Sequence, residues 1–131
     1  MDAYKGSCHC KKVIFSFTSS DILKEVYKCN CSLCVKKSII MESIPKNTLM
    51  LESSPEFLSE YMWNKKIAKH YFCNECGVYT HHVRRRDPEQ ISVNLMCVDD
   101  ILIPKDTVIN TVDGASPVSY THLTLPTILL V

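Results

Sequence analysis

The sequence predicts a small, mainly β domain built on an antiparallel sheet. Short apolar segments alternate with polar residues and are separated by frequent turn formers, which is typical of short strands. No segment has the periodicity of a long amphipathic helix. The chain has 131 residues, of which 46% are hydrophobic and 22% charged, so we expect one folded domain with a core of modest size.

The first predicted strand is KKVIFSFTSS, where Val13, Phe15 and Phe17 alternate with other residues. The next segment, SSDILKEVYKC, fits either one helical turn or another strand, and both interpretations stay open. The further predicted strands are SIIMESIP, TLMLESS, LSEYMW, AKHYFC, EQISVNLMCV and DTVINTV. The turn PKN separates SIIMESIP from TLMLESS, and the turn NKK separates LSEYMW from AKHYFC.

The end of the chain differs in composition from the rest. We expect the domain to cover residues 6–117 and interpret 118–131 as a non-native C-terminal extension, because its Leu-Thr-Leu-Pro run resembles translated read-through sequence. A genuine edge strand is the alternative. The N-terminal MDAYKGSCHC has no apolar signal region, and no run approaches the length of a membrane helix, so we expect a cytoplasmic, reducing location.

Charge and cysteine content narrow the function classes. The 15 basic and 14 acidic residues nearly balance, which disfavours nucleic acid or an anionic membrane as partner. Eight cysteines in a reducing compartment indicate metal binding or redox chemistry rather than disulfides.

Seven of the cysteines form three motifs, and their spacing divides them into two metal sites. Cys8 and Cys10 lie two apart and would point to one face of an extended chain, and the pair Cys73 and Cys76 precedes a glycine in a zinc-knuckle pattern. Together these four thiolates would close one structural zinc site. The remaining motif supplies three thiolates from one short loop, the number of protein ligands that catalytic zinc sites retain; it consists of Cys29, Cys31 and Cys34.

Other interpretations of the three-cysteine motif remain. A histidine could complete it as a second structural site, and the candidates are His9, His70, His81 and His82. The three thiols could also be redox-active without metal. Cys97 stands alone and is expected to be a small buried hydrophobe.

Three longer motifs follow one another along the chain: GSCHCKKVIFSF, CNCSLCVKKS and HYFCNECGVYTHHVRRRDPEQISVN. In these motifs the sequence resembles the GFA family. This family contains the glutathione-dependent formaldehyde-activating enzymes and their relatives, including centromere protein V. The resemblance implies an Mss4-like β fold with two zinc ions per chain. It assigns Cys8, Cys10, Cys73 and Cys76 to a structural zinc, and Cys29, Cys31 and Cys34 to a catalytic zinc with an open position.

The resemblance also implies an activity: a carbon–sulfur lyase that handles a small thiol such as glutathione and its formaldehyde adduct. His81 and His82 are candidate proton donors, or else solvated strand residues. The run at 84–88, RRRDP, could bind carboxylates of a peptide-like thiol or form a solvated turn. The alternative function is a non-catalytic zinc module for protein or nucleic acid, as in chromosomal relatives.

Overall fold

The computed structural model describes residues 2–62, 68–83 and 89–112, and this part of the chain is dominated by short strands. The strands are β1 (Asp2–Ser7), β2 (Ile14–Ser19), β3 (Tyr27–Cys29), β4 (Met41–Pro45), β5 (Met50–Leu51), β6 (Leu58–Tyr61), β7 (Lys69–Cys73), β8 (Tyr79–Val83), β9 (Gln90–Asn94) and β10 (Asn110–Val112). One short helix, α1 (Ser32–Lys37), follows β3, and single 3₁₀ turns occupy Lys46–Thr48, Pro55–Phe57 and Leu95–Cys97.

The strands form two sheets. The smaller sheet has the order β1-β2-β5, and the larger has the order β10-β3-β4-β9-β8-β7-β6. All described pairings are antiparallel except that of β10 with β3, which is parallel. The predicted mainly β, mostly antiparallel fold class is therefore confirmed.

The predicted strands correspond to observed ones with shorter bounds. The first contains β2, in which Phe15 and Phe17 are almost wholly buried. The six further segments contain β4, β5, β6, β7, β9 and β10, and PKN leads into the 3₁₀ turn Lys46–Thr48. The ambiguous segment is irregular until β3 begins at Tyr27. The predicted NKK turn at 64–66 and the C-terminal extension at 118–131 lie outside the described residues.

Two strands and the helix were not predicted. The sequence of β1, DAYKGS, has little apolar character and depends on its pairing with β2 along all six residues. In β8, YTHHV, every residue is buried, so no alternation of apolar and polar residues marks it. Helix α1 has only six residues, too few to show a helical period.

The larger sheet is covered on both faces near its centre. In β4, Ile44 packs into a core cluster that includes Phe15 and Phe17, whereas Met41 packs into a second cluster with Tyr27 and Tyr79. Full burial of such a side chain contributes roughly 1.5–3 kcal/mol. A third cluster surrounds Cys8, Val13 and Cys73, so the buried regions of the domain include two groups of cysteines.

Candidate metal centres

The structure brings four thiols together between the two sheets. The Sγ atoms of Cys8, Cys10, Cys73 and Cys76 all lie within 4.8 Å of one another. Cys10 Sγ lies 3.6 Å from the Sγ atoms of both Cys8 and Cys73. Four sulfurs at about 2.3 Å from a tetrahedral zinc ion would be about 3.8 Å apart, so the spacing in this four-cysteine group fits zinc.

Cys8 and Cys10 lie in the turn between β1 and β2, not on an extended strand as their spacing suggested. The Cys8 N–H donates to the Val13 carbonyl at 3.0 Å, which closes the hairpin. Lys11, directly after the pair, has a φ of 65°, the left-handed conformation that a tight turn requires. Hence the curvature of the turn, rather than strand alternation, brings these two sulfurs together.

The second pair lies where β7 turns into β8, and its backbone has the expected knuckle geometry. Gly77 has a φ of 78°, and its N–H donates to the Cys73 carbonyl at 2.8 Å. The backbone N–H groups of Glu75 and Cys76 point at Cys73 Sγ, at 3.3 and 3.5 Å. Amides directed at sulfur are the backbone arrangement expected of a zinc knuckle.

The second group of thiols, the three-cysteine group, lies at the junction of β3 and α1. Cys29 ends β3, Cys31 is the N-cap residue of α1, and Cys34 lies in the helix. The Sγ atoms of the three residues all lie within 4.8 Å of one another. The prediction of a single short loop is therefore wrong in detail, because the helix begins inside the motif and turns Cys34 back toward Cys31.

Hydrogen bonds within the three-cysteine group favour one thiolate. The thiols of Cys29 and Cys34 hold the pKa of Cys31 well below the usual thiol range, and the backbone N–H of Cys34, whose nitrogen lies 3.4 Å from Cys31 Sγ, acts in the same direction. The same two neighbours, Cys29 and Cys31, raise the pKa of Cys34. A second backbone amide, that of Cys31, points at Cys29 Sγ at 3.5 Å, so the local structure favours a negative charge within the group.

Within the described residues, no histidine joins the three-cysteine group as a fourth donor within 4.8 Å. His9 is exposed in the β1–β2 turn, beside the other group. His70 is buried, and its Nδ1 forms a hydrogen bond of 2.7 Å with the Tyr79 hydroxyl. The interpretation of this motif as a histidine-completed site therefore finds no support here.

His81 and His82 are buried in β8, so the description of them as solvated strand residues is wrong. They are 4% and 8% exposed. His81 stacks on Tyr71 with ring centroids 4.7 Å apart, and burial lowers its pKa to about 4. His82 stacks on His70 at 5.1 Å. Neither histidine lines the cavity beside the three-cysteine group.

That cavity, which we call the thiol cavity, has a volume of about 410 Å³ and is lined by Cys29 and Cys34. Its polar lining comes from Lys28, Asn30, Ser38 and Thr111, and its apolar lining from Val35, Ile39, Ile40 and Ile109. This lining was not predicted, because Ile109 and Thr111 reach the cysteines only through the long-range parallel pairing of β10 with β3. No local motif records that pairing.

Two predicted features lie outside the thiol groups, the single Cys97 and the arginine run. Cys97 is only partly buried against the first core cluster, with its sulfur 3.5 Å from the Tyr79 carbonyl oxygen. Burial raises its pKa to about 11, so it stays a neutral thiol, in keeping with the expected packing role. The arginine run at 84–88 lies outside the described residues.

Fold and thiol groups together define a cysteine-rich β domain with two possible metal centres. The model of the family described as glutathione-dependent formaldehyde-activating enzyme, GFA, matches residues 3–112, and the chain belongs to this family. The chain is also similar to the crystal structure of a Rhodobacter sphaeroides protein, a Northeast Structural Genomics target. The two share 31% identity and a TM-score of 0.76, over 82% of this chain and 99% of that one. Among the described residues, no helix is long and apolar enough to cross a membrane.

Proposed function

We propose that this protein is a zinc-dependent carbon–sulfur lyase of the GFA type, which handles a small thiol such as glutathione and its formaldehyde adduct. In this proposal a structural zinc is held by Cys8, Cys10, Cys73 and Cys76, and a catalytic zinc by Cys29, Cys31 and Cys34. The observation that carries the proposal is the difference between the groups: four thiols in one, and three beside a cavity in the other. The many unpaired thiols favour a cytoplasmic location.

Zinc held by three thiolates supplies a soft Lewis-acidic position that favours a sulfur ligand in its thiolate form. The chain's own part is to hold the three sulfurs in place and to shape the approach to them. Cys31 and Cys34 are both buried and Cys29 is partly exposed; Cys31 anchors the group at the helix N-cap, and Cys29 and Cys34 line the thiol cavity. A small thiol entering this cavity therefore meets the open side of the group.

The balanced reaction joins the sulfur of the thiol to the carbonyl carbon of formaldehyde, forming one C–S bond. The thiol proton is transferred to the former carbonyl oxygen, and the lyase direction reverses both changes. The lining favours an anionic thiol, because Lys28 is a cation and none of the described residues that line the cavity is acidic. Glutathione, with its carboxylates, has this character.

The test combines metal content with turnover in Cys31→Ser. We expect wild type to bind two zinc ions per chain and the variant about one, with adduct formation from glutathione and formaldehyde lost and the far-UV spectrum retained. Cys97→Ser is the matched control, since Cys97 belongs to neither group, and it should keep both ions and full turnover. Full activity in Cys31→Ser, or one zinc per chain in wild type, would contradict the proposal.

A second variant examines the substrate rather than the metal. Lys28→Gln keeps the three sulfurs and removes the cation of the thiol cavity. We expect it to raise KM for glutathione with little change in kcat, and to leave KM for a neutral thiol such as 2-mercaptoethanol unchanged. An equal effect on both thiols would mean that Lys28 does not select an anionic substrate.

A further inference from the structure

A second cavity, which we call the Glu42 cavity, has a volume of about 520 Å³ and lies apart from the thiol cavity. Residues alternate between the two along the last strand: Ile109 and Thr111 line the thiol cavity, whereas Asn110 and Val112 line the Glu42 cavity. Since successive strand residues point to opposite faces, β10 separates the two cavities. They share no lining residue in the described part of the chain.

Glu42 is a buried carboxylate in the lining of this cavity. It lies in β4, between β3 and β9, and is only 4% exposed. Its Oε1 has no hydrogen-bond partner within the described residues. A buried acceptor left unpaired destabilises the fold, more so when it is charged, so this oxygen is a place where a donor from a ligand would add stability.

The surroundings of Glu42 act on its pKa in opposite directions. Burial raises the pKa and the negative charge of Asp21 acts in the same direction, whereas the backbone N–H groups of Glu25, Leu23 and Lys24 lower it. Leu23 has a φ of 72°, a conformation that is unfavourable for a bulky residue. This strained loop thus lies close enough to Glu42 for its backbone amides to act on the carboxylate.

The rest of the lining indicates the charge and size of a ligand. Among the described lining residues, Asp21 and Glu25 add acidic groups against one cation, Lys24, and the other polar residues carry hydroxyls or amides. In the described chain no set of three histidine, cysteine, aspartate or glutamate donors forms here within 4.8 Å, which disfavours a chelated divalent ion. The volume instead suits a small molecule.

We propose that the Glu42 cavity binds a small polar molecule through a protonated primary amine, which donates to the unpaired Oε1 of Glu42. The hydroxyls of the lining would bind the polar remainder of the molecule. This site is independent of the thiol chemistry proposed above, because it contains none of the cysteines. A charge-assisted hydrogen bond to a buried carboxylate contributes about 1.5–3 kcal/mol, which corresponds to roughly a tenfold to hundredfold gain in affinity.

The test uses the zinc-loaded full chain labelled with ¹⁵N and two probes of similar shape, 1,4-diaminobutane and 1,4-butanediol, at constant ionic strength. We expect the diamine to cause saturable shifts of the amide signals of residues 23–25 and the diol to cause none. Glu42→Gln should weaken diamine binding at least tenfold. Glu56→Gln removes an exposed carboxylate away from this cavity and is the matched control with unchanged affinity.

Equal responses to the two probes, no saturable response to the diamine, or an unchanged affinity in Glu42→Gln would each overturn the proposal. The last result would leave Glu42 only as the residue that fixes the 23–25 loop. If Glu42→Gln does not fold, the comparison of diamine with diol in wild type still decides. Asp21→Asn, which removes a second carboxylate from the lining, should then weaken diamine binding.

Discussion

His81 gives a pH dependence whose size follows from its burial. Its side chain is 4% exposed, and burial lowers its pKa to about 4, against about 6.5 in the unfolded chain. Because the folded pKa is the lower one, the unfolded chain binds more protons between these values. Stability is therefore full above pH 6.5 and is lost as the pH falls toward 4. A shift of about 2.5 units corresponds to about 3 kcal/mol in the free energy of unfolding.

The assay compares wild type with His81→Phe, which keeps an aromatic ring against Tyr71 but cannot be protonated. Urea unfolding at a series of pH values from 7.5 to 4, at fixed zinc concentration, gives the free energy of unfolding for both proteins. Protonation of the cysteine thiolates affects both equally, so the difference isolates His81. We expect this difference to change by about 3 kcal/mol over the range, and an NMR titration should give the imidazole pKa near 4. A pH-independent difference, or titration near 6.5, would refute the reasoning.

Two further predictions concern the fold around the thiols. A Cβ at Gly6 would lie 2.5 Å from Phe15 Cζ, so Gly6→Ala should lower the free energy of unfolding by about 3 kcal/mol. At Gly77 no atom of the described residues lies within 4 Å of such a Cβ. Only the positive φ opposes Gly77→Ala, which should therefore lower the free energy of unfolding by about 1–2 kcal/mol. Urea unfolding measures the free energy of unfolding of both alanine variants, and equal losses in the two would contradict the steric argument. Removal of zinc by a strong chelator should cause cooperative loss of β structure in the far-UV spectrum, reversed by added zinc, because a structural site contributes on the order of 10 kcal/mol. A metal-free protein with an unchanged spectrum would contradict this prediction.

The sequence allowed the thiol groups to be predicted because cysteine spacing is a local property. The two pairs and the triplet lie within a few residues each, and thiols so close in sequence are brought together by almost any turn. What spacing could not give was the backbone that does so: a hairpin turn at Cys8 and a helix N-cap at Cys31. Both depend on neighbouring elements, β1 and α1, which carry no periodic signal of their own.

The parts that were missed depend on contacts between distant segments. β8 escaped prediction because a strand buried on both faces shows no alternation, and its histidines looked solvated for the same reason. The thiol cavity needs β10 beside β3, with Thr111 opposite Lys28. Glu42 reads from sequence as an ordinary polar residue in a strand. Its burial becomes visible only in the assembled sheet, where β4 lies between β3 and β9.

The two thiol groups connect the chain in different ways, and this difference favours different roles. In the four-cysteine group, Cys10 and Cys73 are 63 residues apart and belong to separate sheets, Cys10 in the β1–β2 turn and Cys73 at the end of β7. The three-cysteine group joins only neighbouring residues of β3 and α1. Loop-closure entropy makes the longer connection worth about 2 kcal/mol more for the fold. A metal bound at the three-cysteine group would therefore add less to the fold, which agrees with the proposal that this group, beside the thiol cavity, binds a substrate sulfur.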